Sequence, residues 1–188
     1  MLYCIKEFGT YSEITGFRNI TFFQAEAFLK ANRKETRSRI ELQMFDADLI
    51  ATQDHLYFAV LNALQAFRNK TNISKSLAVE TMLYASAQRQ IQKAIQRCGI
   101  KPETTSMAVV IISENPDEIK TVLEAMVVCV GAEPDETVLE MTDVKFEKIK
   151  GAFQVKAEEV MTIMDDGFRD EAVVSLIVER VALLSTQL

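Results

Sequence analysis

Apolar residues recur along this chain with two periods. At residues 39–45 (RIELQMF), Ile40, Leu42 and Met44 alternate with Glu41 and Gln43, which predicts a half-buried strand. Residues 107–112 (MAVVII) are apolar without interruption and rich in β-branched side chains, the pattern of a central strand. Residues 2–8 (LYCIKEF) read as a short strand. Elsewhere the spacing is helical. Phe22, Ala25, Phe28 and Leu29 predict a helix from Thr21 to about Arg37. Leu56, Ala59, Val60, Ala63, Leu64 and Phe67 predict another, capped by Thr52 or Asp54 and reaching about Arg68. After the turn-forming NKTNISKS, a helix is expected over 77–98, bent near Ser86 and closed by Gly99. Asn115-Pro116-Asp117 opens a helix to about Val130, because proline suits a first turn. Residues 133–135 form a loop, and three short helices, 144–150, 156–164 and 168–185, finish the chain. Strands and helices do not alternate as βαβ units. The expected fold is therefore a helix-dominated α+β single domain spanning 1–188, with a small mostly antiparallel or mixed sheet of three to four strands.

Composition narrows the class. Of 188 residues, 48% are hydrophobic and 26% charged, with six glycines and three prolines, which fits a soluble globular core and argues against disorder. The N-terminus lacks a basic stretch followed by an apolar run, and no segment reaches about 18 uncharged apolar residues, so neither a signal peptide nor a membrane span is expected. The three cysteines are scattered and there is one histidine, so no zinc spacing can be built; free thiols in the cytoplasm are the expectation.

The net charge of −6 is unevenly spread. Residues 1–102 carry 14 Lys+Arg against 9 Asp+Glu (net +5), and residues 103–188 carry 7 against 18 (net −11). One reading is a face for a polyanion and another for a different partner; the other is two ordinarily solvated halves.

Catalytic and cofactor signatures are missing. There is no dinucleotide-binding glycine motif, no P-loop and no nucleophile elbow, so no cofactor is expected. His55 stands near a helix start, where a local hydrogen bond is its ordinary role. Asp165-Asp166 reads as a helix end or turn rather than a metal cage, and Glu158-Glu159 as a solvated helix start. An enzyme in its own right is not expected.

The sharper signal is basic. Arg89, Lys93 and Arg97 stand at i, i+4 and i+8 with no Glu at i±4 in the sequence, and Ile91, Ala94, Ile95 and Cys98 are expected to form the buried face. From Phe67 to Lys101 there are seven basic residues and one acidic residue, Glu80. Such a patch suits phosphates or an acidic protein surface, or is a plain cationic face. A different signal closes the chain. Between Ala172 and Leu184 only Ser175, Glu179 and Arg180 interrupt the apolar residues, so this helix is either a core helix or half of an interface.

These residues also carry a likeness. VETMLYASAQRQIQKAIQRCGI resembles the signature of the small kinase-binding subunit of the KEOPS complex (EKC in eukaryotes), with matches at Glu80, Leu83, Tyr84, Ser86, Arg89, Ile91, Ala94, Gly99 and Ile100. DHLYFAVLNAL upstream is similar at His55, Leu56, Ala59 and Ala63, and VERVALL (178–184) resembles the family's closing helix; the spelling of the middle block looks archaeal. The resemblance implies a non-enzymatic subunit that binds the complex's small atypical kinase/ATPase and affects its activity. It also implies tRNA recruitment through the 3′ CCA end for threonylcarbamoyladenosine modification of adenosine 37, with the catalytic transfer left to another subunit. Arg89, on the motif, is then the first candidate RNA contact, or else a structural arginine between helices. Gln90, Lys93, Arg97, Lys75 and Lys70 are expected around it, and His55 is expected to stack on or bond to a nucleotide. Leu176, Ile177, Val181 and Leu184 are the candidates for the kinase interface, and weak self-association through that helix is expected of the isolated subunit. The alternatives are a protein scaffold that ignores RNA and, more remotely, an enzyme acting on a small anion.

Overall fold

The structure, a computed structural model, describes residues 1–34, 40–164 and 168–186. Four strands form one antiparallel sheet: β1 (Leu2–Ile5), β2 (Thr10–Arg18), β3 (Glu41–Asp46) and β4 (Ser106–Ser113), in the order β1-β2-β4-β3. Among the described residues there are eight α-helices: α1 (Phe22–Lys34), α2 (Gln53–Asn69), α3 (Leu77–Ala85), α4 (Ile91–Cys98), α5 (Pro116–Val130), α6 (Asp143–Phe153), α7 (Ala157–Ile163) and α8 (Arg169–Leu183). The α+β class, with helix predominating, is as the apolar periods predict.

The continuous apolar run of β4 has a direct cause. Antiparallel sheets often leave one face to water, but here helices cover both. Met107, Val109 and Ile111 point to one side, where Phe17 and Met44 join Ala25 and Leu29 of α1 and Ile119, Val122 and Met126 of α5. Ala108, Val110 and Ile112 point to the other, where Ile14 and Phe45 meet Leu56 and Val60 of α2, Leu83 of α3, Ile149 of α6 and Ile177 of α8. Residues one apart serve opposite cores, as the strand period requires. The α5 start is as the sequence implies: the Asn115 side chain accepts from the Asp117 N–H at 3.0 Å, ahead of Pro116.

Two expectations change and one strand is added. The strand at residues 2–8 ends at Ile5, followed by a 3-10 turn over Lys6–Phe8. The second strand, β2, was not legible, because Ser12, Thr15 and Gly16 interrupt its apolar positions although all three are buried. Gly16 is there because of a close approach: a Cβ on it would lie 2.0 Å from Val138 Cγ2 and 3.0 Å from the Asp135 carbonyl. The Asp135 N–H donates to the Gly16 carbonyl at 2.8 Å, laying the turn Glu136–Leu139 across the strand. The helix predicted from Thr21 to Arg37 runs over Phe22–Lys34, and residues 35–39, with the start of the predicted 39–45 strand, lie outside the described residues. So do Asp165, Asp166 and Gly167.

The largest change is at 77–98, which is two helices rather than one bent helix. α3 stops at Ala85, Ala87 takes a left-handed backbone (φ 48°), and α4 restarts after Gln90. Gly99 does end α4, but in extended rather than left-handed backbone; a Cβ there would come within 2.6 Å of the Ile95 carbonyl.

Candidate nucleic-acid interface and partner surface

The site is built outward from the end of α3. Glu41 fixes the start of that helix: its carboxylate accepts from the Ser76 hydroxyl at 2.7 Å and the Ala78 N–H at 2.9 Å. The buried Glu80 accepts from the Ile73 and Ser74 N–H groups, the latter at 2.7 Å, and so pins the loop before it. A helix leaves its last carbonyls unsatisfied. At α3 two side chains take that place. His55 Nε2 meets the Ala85 carbonyl at 2.7 Å, and Arg97 Nη1 donates to the Ser86 carbonyl at 2.8 Å.

His55 therefore has a core role, and the expectation that it stacks on or bonds to a nucleotide is corrected. The ring is fully buried. Nδ1 accepts from the Ala51 N–H at 3.1 Å, which leaves the proton on Nε2 for Ala85. Burial holds its pKa down at about 4; the Ala85 bond opposes this and the nearby Lys145 charge adds to it. The imidazole is neutral at pH 7, with the edge of Phe153 against it, ring centroids 5.7 Å apart. Lys145 is itself buried and donates to the Val138 carbonyl at 2.9 Å; burial lowers its pKa to about 8 against the pull of Asp48 and Asp46.

Arg97 is half-buried, with its guanidinium 5.2 Å from the Phe153 ring centroid, and burial lowers its pKa. It is thus tied into the fold as well as facing a groove. That open groove, of about 520 Å³, is lined by the cations Lys93, Arg97 and Lys101, the amides Gln88 and Gln96, and an apolar floor of Leu49 and Ala152. Among the described residues, no carboxylate lines it. Asp48 pairs with Lys148 at 2.6 Å, and Asp46 accepts from the Thr104 hydroxyl at 3.1 Å and also feels the charge of Lys101.

Of the sequence candidates, the structure brings Lys93 and Arg97 together here. Arg89 and Gln90 are exposed on the segment leading into α4, outside the groove lining. Lys70 and Lys75 are exposed at the opposite end of α3, nine residues long and so about 13 Å from end to end. Because α3 and α4 are separate, Arg89, Lys93 and Arg97 do not form one helical stripe. The buried face of α4 is also narrower than expected: Ala94 and Cys98 are buried, but Ile91 and Ile95 are 43% and 49% exposed. Burial pushes the Cys98 thiol up to about 12, so it stays protonated. Lys101 belonged to the basic run; Leu49 and Ala152 come from distant segments and gave no signal in the sequence.

The last helix divides the other way from expectation. Leu176, Ile177, Val181 and Leu184 are all buried, at most 6% exposed, against α2, α3 and α6. They are core residues and cannot meet a partner directly, which corrects their assignment to the kinase interface. The outward face of α8 carries the exposed Glu171, Ser175, Glu179, Ala182 and Leu183, with Val174 and Val178 half-buried. Beside it, α7 exposes Met161 (71%) and Ile163, and Phe168 is 61% exposed ahead of α8. Arg180 holds this layer to α6 and α7, donating to the Phe153 carbonyl and to Glu159. Among the described residues no group of His, Cys, Asp and Glu side chains is placed to hold a metal ion, and no helix is long and apolar enough to cross a membrane.

Residues 17–185 match the sequence model of a family described as kinase binding protein CGI-121. The regulatory protein Cgi121 of Methanocaldococcus jannaschii is 30% identical over 145 residues, covering 77% of this chain and 83% of the relative. An EKC/KEOPS complex subunit of Aspergillus terreus is 27% identical over 139 residues, 71% of this chain and 70% of its own length. A further EKC/KEOPS complex subunit, from Coccidioides immitis, is 26% identical over 94 residues, half of this chain.

Proposed function

The chain belongs to the CGI-121 family of kinase binding proteins, and from that premise we propose that it is a non-catalytic, regulatory subunit of a KEOPS-type complex. In this reading it docks the complex's small atypical kinase/ATPase and holds the 3′ CCA end of tRNA for threonylcarbamoyladenosine modification of adenosine 37. The observation that carries the RNA part is the groove. In a protein of net charge −6, Lys93, Arg97 and Lys101 converge on a cavity with no carboxylate in its lining among the described residues. Cations attract the phosphates of a single strand, and amides such as Gln88 and Gln96 suit base edges. Arg89 and Gln90, at the start of α4, extend the path, and Lys70 and Lys75 mark its far approach. For the kinase, the outward side of α7 and α8 replaces the buried residues first considered: Met161, Val174, Val178 and Leu183 form an apolar surface with acidic Glu171 and Glu179 among them.

The test is tRNA binding at two salt concentrations. Three phosphate contacts predict a slope of log K on log salt of about −2, so affinity falls about tenfold or more between roughly 50 and 200 mM. Lys93→Glu, Lys101→Glu and Arg89→Glu weaken binding, and removing the CCA tail removes most of it. Equal affinity with and without the tail overturns the end-recognition part. The second reading, a kinase scaffold indifferent to RNA, is favoured by one observation: Arg97 already serves the Ser86 carbonyl and the Phe153 ring. Absence of any tRNA shift at low salt, with kinase binding intact, decides for it.

A further inference from the structure

Phe153 is the last residue of α6 and is 2% exposed, and three side chains converge on it. The Arg97 guanidinium lies over its ring, 5.2 Å from the centroid, and the His55 ring meets it in a T at 5.7 Å. Its carbonyl is one that a helix end leaves without a backbone partner. The Gln154 and Val155 N–H groups close α6 onto the Gly151 and Lys150 carbonyls instead. Arg180 of α8 supplies the donor to Phe153. That guanidinium is also held by α7: Arg180 Nη2 donates to both carboxylate oxygens of Glu159, at 3.0 and 3.1 Å. Glu159 is fixed in turn, accepting from the Lys156 N–H at 2.7 Å where α7 starts.

A chain of contacts thus runs from Glu159 on α7, through Arg180 on α8 and Phe153 at the end of α6, to Arg97 on α4. It ends in the groove, where Arg97 and Ala152, the residue before Phe153, both stand in the lining. Arg97 is a long side chain with much rotamer freedom to lose. A guanidinium already seated on the Ser86 carbonyl and the Phe153 ring loses less of it when a phosphate arrives. The seat is electrostatically poised. Arg180 is a like charge beside Arg97 and, after burial, adds to the lowering of its pKa. The Glu159 carboxylate offsets that charge and keeps Arg180 on the Phe153 carbonyl.

We propose, resting on the RNA reading of the groove, that Phe153 is a positioning residue for Arg97 and that Glu159 and Arg180 hold it in place from α7 and α8. Two readouts test this on the full chain: the NMR signal of the Arg97 Nε–H group in the free protein, and tRNA affinity. Glu159→Gln is the first variant. Glutamine also serves at the third position of a capping box, so the start of α7 is kept while the charge is lost. The variant removes one negative charge from a protein of net charge −6, so long-range attraction alone would tighten tRNA binding. The relay predicts the opposite sign, a weakening of about threefold, together with a shifted Arg97 signal. Phe153→Leu keeps an apolar side chain in the core and removes the ring; affinity falls about threefold or more. In an Arg97→Met background it costs no further affinity, whereas in a Lys93→Met background it keeps its full effect. An Arg97 signal unchanged in both variants overturns the proposal. So does tighter tRNA binding by Glu159→Gln, or an equal loss from Phe153→Leu with and without the Arg97 side chain. A wild-type chain that binds no tRNA overturns the RNA reading instead, and the Arg97 signal alone then decides whether Phe153 positions it.

Discussion

His55 Nε2 and the Ala85 carbonyl lie 2.7 Å apart, joining the first turn of α2 to the last carbonyls of α3. The bond needs the neutral ring, because Nδ1 already accepts from Ala51. The folded pKa of about 4 lies below the ordinary 6.5, so between these values the unfolded chain binds a proton that the folded protein refuses. The stabilisation is fully present above about pH 6.5 and is lost as pH falls toward 4, amounting to about 3 kcal/mol. Thermal melting between pH 7 and 4 is expected to show this loss. His55→Ala is expected to flatten the part due to this group and to lower stability at pH 7 by about 2–4 kcal/mol, since it strands the Ala51 N–H and the Ala85 carbonyl.

Arg97 and Lys93 share the groove but should separate in their effects. Arg97→Met removes a charge-assisted bond to Ser86 and the stacking on Phe153, so stability falls by about 2 kcal/mol together with RNA affinity. Lys93 is exposed on α4; Lys93→Met is expected to leave the melting temperature within error and to weaken only the RNA. Denaturation of both variants beside a tRNA titration makes the comparison. A loss of stability with Lys93→Met equal to that of Arg97→Met would refute the division.

The apolar periods made the two-sided core legible, since MAVVII has both faces covered by helices and the inward positions of α2 follow the predicted spacing. The composite groove was only half legible. Lys93, Arg97 and Lys101 stood out as unneutralised charge, but whether a cation faces solvent or caps a helix depends on where α3 stops. That stop rests on the left-handed Ala87 and on His55 and Arg97 reaching the freed carbonyls, none of which local propensity encodes. α8 failed for a related reason: its sequence is apolar on most sides, so periodicity alone did not say which stripe faces the core.

Gly16 tests the packing of the 136–139 turn on β2. A methyl group there meets Val138 Cγ2 at 2.0 Å and the Asp135 carbonyl at 3.0 Å. Gly16→Ala is expected to cost about 1–3 kcal/mol by overpacking. Adding Val138→Ala should recover part of this, because the side-chain clash disappears while the contact with the Asp135 carbonyl persists. Urea unfolding of the single and double variants reads the coupling directly, and strictly additive losses would show that the clash is relieved in some other way.

The two stripes of α8 give the last separation. Ile177 is fully buried in the larger core and Leu183 is 45% exposed. Ile177→Ala should destabilise the fold by about 2–4 kcal/mol through the cavity it leaves, and should affect kinase binding only as far as it unfolds the chain. Leu183→Asp should change stability by less than about 0.5 kcal/mol, as an exposed substitution, yet reduce co-purification with the small kinase subunit. Met161→Asp on the neighbouring α7 should act in the same way if the two helices form one surface. Calorimetry of each variant alone, followed by titration with the kinase subunit, distinguishes the cases. Full kinase affinity in a Leu183→Asp, Met161→Asp double variant would move the interface away from this side, toward the other exposed apolar residues of the chain, Ile91 and Ile95 on α4 among them.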